Sequence, residues 1–147
     1  MATQERILIL IKPDGVRRGL IGKVVARIEE RDFTIEAMDM RMANRETLAR
    51  HYHEHTSKPF YFGLVEYMTS GPIVAMVVAG DQVIETFRTM AGATDPVNAA
   101  PGTIRGDFGR AWNDGPIQNI VHGSDSAASA AEEIEIWFPE TAESAPY

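Results

Sequence analysis

Arg6-Ile7-Leu8-Ile9-Leu10-Ile11, followed by Lys12-Pro13-Asp14-Gly15, decides how the chain is read. A strand with one wet face alternates apolar and polar residues, and this run does not. Both of its faces are therefore buried, which predicts a central position in a sheet. Pro13, Asp14 and Gly15 stop it.

Working outward, the period changes at Leu20. Leu20, Ile21, Val24, Val25 and Ile28 recur at helical spacing, with Lys23, Arg27, Glu29 and Glu30 on the other face, so an amphipathic helix covers the sheet. Phe33 to Met42 alternates like a strand with a wetter face, and Asn44 then caps a helix through about residue 54. Pro59 fits the first position of a helix bearing Phe60, Leu64, Val65 and Met68, which Thr69-Ser70-Gly71-Pro72 ends. A third strand covers Ile73 to Ala79, and Asp81 is the expected cap of a helix running to about Met90. Residues 91 to 116 are rich in Gly, Pro, Asn and Asp with no sustained period, and loops longer than ~15 residues are usually functional or disordered. Ile117 to Val121 reads as a last strand. Ser124 or Ser126 then caps a helix with Ala127, Ala130, Ala131 and Ile134 inward, ended by Pro139, and residues 140–147 read as a frayed tail. This order predicts an α+β fold, a ferredoxin-like split βαβ sandwich whose four-stranded antiparallel sheet is covered by helices. A length of 147 residues with no linker or repeat predicts one domain, 1–147.

Composition narrows the chemistry. The 44% hydrophobic and 24% charged content is that of a soluble globular chain. No apolar run is long enough for a membrane span, and MATQERILIL lacks the basic start and cleavage site of a signal peptide, so no membrane partner and a cytoplasmic location are expected. Zero cysteines exclude disulfides, thiol catalysis and cysteine-based zinc sites. A net charge of −7 opposes attraction to nucleic acid, and no specific nucleic-acid partner is expected. It does not oppose a small anion in a cleft lined by a few cations.

Three segments concentrate uncommon choices: Lys12 to Gly15 at the end of the first strand, Asn119 to Ser126 at the end of the last, and Pro101 to Asp107 in the long loop. A neutral imidazole such as that of His122 has a lone pair near pH 7 and can act as a nucleophile, while a lone histidine at a strand end also serves as a packing residue. Gly123 would let the backbone turn beside the ring. Lys12 suits a phosphate, or simply snorkels. Gly22-Lys23 is no P-loop, because Arg17 and Val24 stand where that motif needs Gly and Ser or Thr. His51, His53 and His55 invite a metal, yet a polar helix end is the commoner origin of such a stretch. Tyr52 is ambiguous on the same grounds. Phe60, Tyr61 and Phe62 can stack a base or fill the core, and Arg88 can answer a helix dipole.

Read together, the segments resemble the nucleoside diphosphate kinase family from Arg6 to about Pro139. The carriers are Asn119 to Ser126 (N-x-x-H-G-S-D-S), Lys12 to Gly15 (K-P-D-G), Pro101 to Asp107 (P-G-T-I-R-G-D) and Ser70 to Pro72 (S-G-P). The resemblance implies ping-pong transfer of a γ-phosphoryl group from a nucleoside triphosphate to a nucleoside diphosphate, with broad base specificity and His122 as phosphate carrier. It implies that the long loop binds nucleotide. It places Lys12, Arg88, Thr94, Arg105 and Asn119 at phosphates or ribose, Tyr52 near the histidine, Glu133 and Ser124 behind the imidazole, and Phe60 and Leu64 around the base. Mg2+ would arrive on the nucleotide rather than on protein side chains. The homo-oligomer would be a hexamer or a tetramer. The chain departs from the pattern at Gln118, where the family has arginine, and in an insertion from Gly109 to Pro116 that carries Trp112, a residue able to cover the base or pack on the surface. A nucleotide sensor without turnover is the rival reading; it has no need of a nucleophile.

Overall fold

The computed structural model describes residues 4–111 and 116–140. Along the chain come β1 (Glu5–Ile11), α1 (Pro13–Arg17), α2 (Ile21–Glu30), β2 (Thr34–Arg41), α3 (Arg45–His51), α4 (Tyr61–Met68), β3 (Ile73–Gly80), α5 (Val83–Ala91), α6 (Ile104–Phe108), β4 (Val121–Gly123) and α7 (Ala127–Trp137). The four strands form one antiparallel sheet in the order β2-β3-β1-β4. The α+β, ferredoxin-like reading therefore holds.

β1 lies inside the sheet, paired along its length with β3 and at its end with β4. Ile7, Ile9 and Ile11 pack with Val24 and Ile28 of α2 and Phe87 of α5 on one face. Leu8 and Leu10 pack with Leu48 of α3, Val65 of α4 and Trp137 of α7 on the other. The uninterrupted apolar run is thus explained by two cores, one on each side of a single strand. β2 is an edge strand with alternating half-buried and exposed positions, as its pattern predicts.

Several boundaries differ from expectation, each for a local reason. Lys12 to Gly15 does more than stop β1: Pro13 opens the short helix α1, where its missing N–H costs nothing. Helix α3 stops at His51, short of residue 54, although Asn44 caps it by accepting from the Thr47 N–H at 2.8 Å. Pro59 falls two residues before α4. Phe60 and Phe62 are exposed, so the core role open to these aromatics is not theirs. Asp81 does not cap α5. Gln82 occupies that place with φ 54°, and the Ile84 N–H is taken by the Glu5 carboxylate from β1 at 2.9 Å. The long loop is largely ordered by its own short helices: Asp95 caps a 3-10 turn at Pro96–Asn98, and Thr103 caps α6 by accepting from the Gly106 N–H. Asp107 ties this loop to α2 through Arg27 at 2.6 Å, and that hydrogen bond holds its carboxyl below the usual range. Ser126, not Ser124, caps α7.

The last strand is displaced most. Ile117 to Ile120 is not part of it, and β4 begins at Val121. The cause is Ile120, whose φ of 74° cannot belong to an extended strand. Trp112 and the rest of 112–115, half of the Gly109 to Pro116 insertion, lie outside the described residues, as does the tail from residue 141.

Ile9 has no exposed surface. Ile9→Ala should cost about 2–5 kcal/mol in denaturant unfolding, the range for truncating a buried aliphatic side chain.

Candidate active site

The register of β4 on β1 sets the site. Leu10 is the Cα partner of His122, so the His122 side chain leaves the sheet on the Leu10 face, toward α3 and α7. There its Nε2 meets Glu133 Oε1 at 2.8 Å. A carboxylate only accepts, so Nε2 carries the proton and Nδ1 holds the lone pair. Among the described residues no side chain or backbone group hydrogen-bonds to Nδ1.

Glu133 is fixed in turn. Its Oε1 also accepts from Ser124 Oγ at 2.8 Å, and Ser124, wholly buried, accepts at Oγ from the Leu8 N–H of β1 at 3.1 Å. The imidazole is thus oriented by a chain that ends on the central strand. Gly123 has a packing reason: an added Cβ would meet Phe87 Cδ2 at 2.7 Å, and no left-handed φ is involved. The expected tight turn beside the ring is not there. The left-handed residue is Ile120, two positions before the histidine, and holding a β-branched residue so costs about 1–3 kcal/mol.

His122 opens into a cleft of about 450 Å³. Lys12, Tyr52, Arg88, Thr94, Arg105 and Asn119 line it, with Glu133 at its floor. Three cations converge here. Lys12 Nζ donates to Asn119 Oδ1 at 2.8 Å, and Asn119 Nδ2 donates to the Thr94 carbonyl at 3.0 Å. Arg105 donates to the carbonyls of Asn119, Gly92 and Val121, so it braces backbone on both sides of Ile120 as well as charging the cleft. Burial, reinforced by Arg88, lowers its pKa. Burial first, and then the charge of Arg105, pulls Lys12 down to about 8, against a partial lift from Asp14. Cations crowded and desolvated in this way are waiting for an anion.

Sequence reasoning gave no place in the cleft to His51, nor to Asp125, Ser129 and Glu132, which also line it. His51, considered only within a histidine triplet, turns inward at the end of α3. Its ring meets that of His122 edge-on at 4.7 Å and that of Tyr52 at 4.6 Å. Trp137 Nε1–H donates to its Nδ1 at 3.0 Å, and burial drives its pKa down to about 2, so it stays neutral. Burial, followed by the nearby Glu133, raises the Tyr52 phenol, which therefore stays protonated. The only sign of His51 in the sequence was its placement on the Leu48 side of a capped helix. All three histidines of the triplet line the cleft but hold different partners: His53 pairs with Glu132 at 2.7 Å and His55 Nδ1 meets Lys58 Nζ at 3.0 Å. Phe60 and Leu64 do not line the cleft. The Phe60 ring lies 5.5 Å from that of His55, which does line it, and Leu64 packs against the apolar core.

The nearest approach to a metal-binding group among the described residues is His51, His122 and Glu133. Two imidazoles and one carboxylate do not suit Mg2+, which prefers oxygen. The Glu133 oxygen in question already accepts from two donors.

The family described as "Nucleoside diphosphate kinase" matches residues 5–142. The chain belongs to the nucleoside diphosphate kinase family. It is 58% identical to the nucleoside diphosphate kinase of Thermobifida fusca over 139 residues, covering 94% of this chain and 99% of that one. It is 55% identical to that of Streptococcus uberis, covering 91% and 94%. Among solved structures, the Borrelia burgdorferi nucleoside diphosphate kinase, a transition state mimic with bound vanadate and ADP, superposes with a TM-score of 0.87 at 35% identity, covering 99% of this chain and 92% of that one. Three of the four motifs, through Lys12, Arg105 and the segment Asn119 to His122, meet in one cleft, whereas Ser70 of the fourth bonds to Arg17 outside it.

Lys12 gives a signed pH test. Below about pH 8 its ammonium is charged, and above that it is neutral, so kcat/KM for nucleotide should fall as pH rises through 8. Its contribution to stability should move the other way. Between about 8 and the ordinary 10.5 the unfolded chain binds more protons than the folded one, so stability rises with pH. The difference between wild type and Lys12→Met in chemical denaturation across that window should show the rise.

Proposed function

We propose that this nucleoside diphosphate kinase moves the γ-phosphoryl group of a nucleoside triphosphate to a nucleoside diphosphate by way of His122. The observation that carries the reading is the imidazole itself: Nε2 is committed to Glu133, Nδ1 has no hydrogen-bond partner among the described residues, and the ring lines one cleft with Lys12, Arg88 and Arg105. The vanadate and ADP complex of the Borrelia relative supports phosphoryl transfer as the chemistry.

In the first half-reaction Nδ1 attacks the γ-phosphorus in line. The Nδ1–P bond forms, the bond from phosphorus to the β-bridging oxygen breaks, and the nucleoside diphosphate leaves. Glu133 stabilises the positive charge that the ring acquires, and Ser124 keeps Glu133 aimed. Lys12, Arg88 and Arg105 answer the charge on the phosphate oxygens, with Asn119 and Thr94 beside them at phosphate or ribose. Tyr52 stays a neutral donor close to the ring. The second half-reaction runs the same steps in reverse with a different diphosphate. Magnesium would be carried by the nucleotide phosphates rather than by protein side chains, where it would supply neutralisation of phosphate charge.

Phe60, exposed and 5.5 Å from the His55 ring of the cleft, with Leu64 four residues on, would offer the base a flat apolar contact, which supports breadth among ribo- and deoxynucleotides. Assembly into a homo-oligomer, a hexamer or tetramer, is supported by the edge strand β2, whose Met38 and Met40, with Met42 just beyond, are exposed in alternation. One domain acting in the cytoplasm completes the reading; among the described residues no helix is long and apolar enough to cross a membrane. A nucleotide sensor would have no use for a carboxylate-oriented imidazole.

Incubation with Mg·ATP alone should leave an acid-labile phosphate on the protein that added nucleoside diphosphate removes. His122→Ala should abolish it, and a label that persists in that variant overturns the assignment. Glu133→Gln should slow labelling by about tenfold or more, the behaviour of a carboxylate that orients an imidazole. A change confined to KM would remove Glu133 from that role.

A further inference from the structure

Ile120 is the one β-branched residue among the described residues with positive φ, and none of its surface is exposed. The Val121 N–H donates to the Asn119 carbonyl at 2.7 Å, so Ile120 is the centre of a γ-turn of the rarer, strained hand. Such a turn persists only if its surroundings hold it. The Ile120 carbonyl accepts from the Lys12 N–H at 2.7 Å, and Arg105 holds the carbonyls of Asn119 and Val121. The remaining group, the Ile120 N–H, donates to Asp14 Oδ2 at 3.1 Å.

Asp14 is only 3% exposed and does not line the cleft. A buried carboxylate needs more than one donor. Its other oxygen, Oδ1, accepts from the hydroxyl of Tyr67, which is 6% exposed and also away from the cleft. Burial and the adjacent carboxylate raise the Tyr67 phenol, so it remains a donor. Neither residue has a part in the chemistry described above.

On either side of the turn stand the groups that the reaction needs. Asn119, which holds Lys12 Nζ, precedes it, and His122 follows by two residues. Relaxation of Ile120 to an extended conformation would rotate the chain between them. We propose that the Asp14–Tyr67 pair is a positioning device for phosphoryl transfer: it locks the strained turn at Ile120 and so sets His122 against the Lys12–Asn119 phosphate clamp. Asp14 is the jaw on the N–H, and Tyr67 is its brace. This rests on His122 being the phosphate carrier.

The test uses Tyr67→Phe, which removes the hydroxyl and leaves the charge of Asp14, and therefore its influence on Lys12, in place. Labelling of the full chain by Mg·ATP is followed by rapid quench in four proteins: wild type, Tyr67→Phe, Ile120→Gly and the double variant. Folded fraction is set by circular dichroism. Tyr67→Phe should slow labelling per folded molecule by roughly tenfold, the consequence of losing one buried hydrogen bond to a charged group, with KM little changed. In the Ile120→Gly background the same substitution should cost less than about twofold, because glycine adopts the left-handed turn unaided. Equal losses in both backgrounds, or wild-type labelling of Tyr67→Phe, would overturn the proposal. If Tyr67→Phe does not fold, Asp14→Asn is measured in both backgrounds by the same criterion. His122→Ala is the separate control: a label surviving there defeats the carrier assignment, whereas a label lost there but indifferent to Tyr67 defeats only the clamp.

Discussion

A strand buried on both faces is the constraint from which the rest of this structure descends. β1 can satisfy its backbone only by pairing on both edges, and its side chains only by being covered above and below. That forces β3 and β4 onto its flanks and separate sets of helices onto its two faces. It also places the end of β1, where Lys12 stands, beside the start of β4, where His122 stands. The His122 imidazole is anchored through Glu133 and Ser124 to the backbone of Leu8, in the middle of the same strand. Core and cleft geometry share one element, so the histidine is tied to a strand whose apolar residues are fully buried.

The electrostatics of the cleft are local and run against the net charge of −7. Lys12 loses much of its basicity by burial, and Arg105 and Arg88 repel each other. An anion relieves both costs, which is how a protein of acidic composition can hold a polyphosphate. Two rings beside the imidazole add no charge of their own. His51, pinned by Trp137, stays neutral against His122, and Tyr52 stays protonated. Among the described residues the one carboxylate bonded to the imidazole is Glu133, on Nε2.

Much of this was legible in the chain. The unbroken Ile7 to Ile11 run, the helical period from Leu20 and the alternation after Phe33 gave the strand and helix order, because these patterns record which faces are buried. Lys12, Arg105, Asn119 and His122 stood out through their segments, and they meet in one cleft. The misreadings share a cause. Glu5 took the capping duty expected of Asp81, and the left-handed turn fell to Ile120 rather than to Gly123. Both depend on a partner far away in sequence, and local propensity carries no record of it.

The division follows from the range of the forces involved. Hydrophobic periodicity is written residue by residue, so the sequence alone determined the α+β order, the central strand and the kind of chemistry its polar residues can perform. Hydrogen bonds between segments distant in sequence are not written that way. Only the tertiary structure decided that Nδ1 of His122 is the open nitrogen, that His51 joins the site, and that Asp14 and Tyr67 reach Ile120, because each requires a donor and an acceptor that meet only once the sheet has closed.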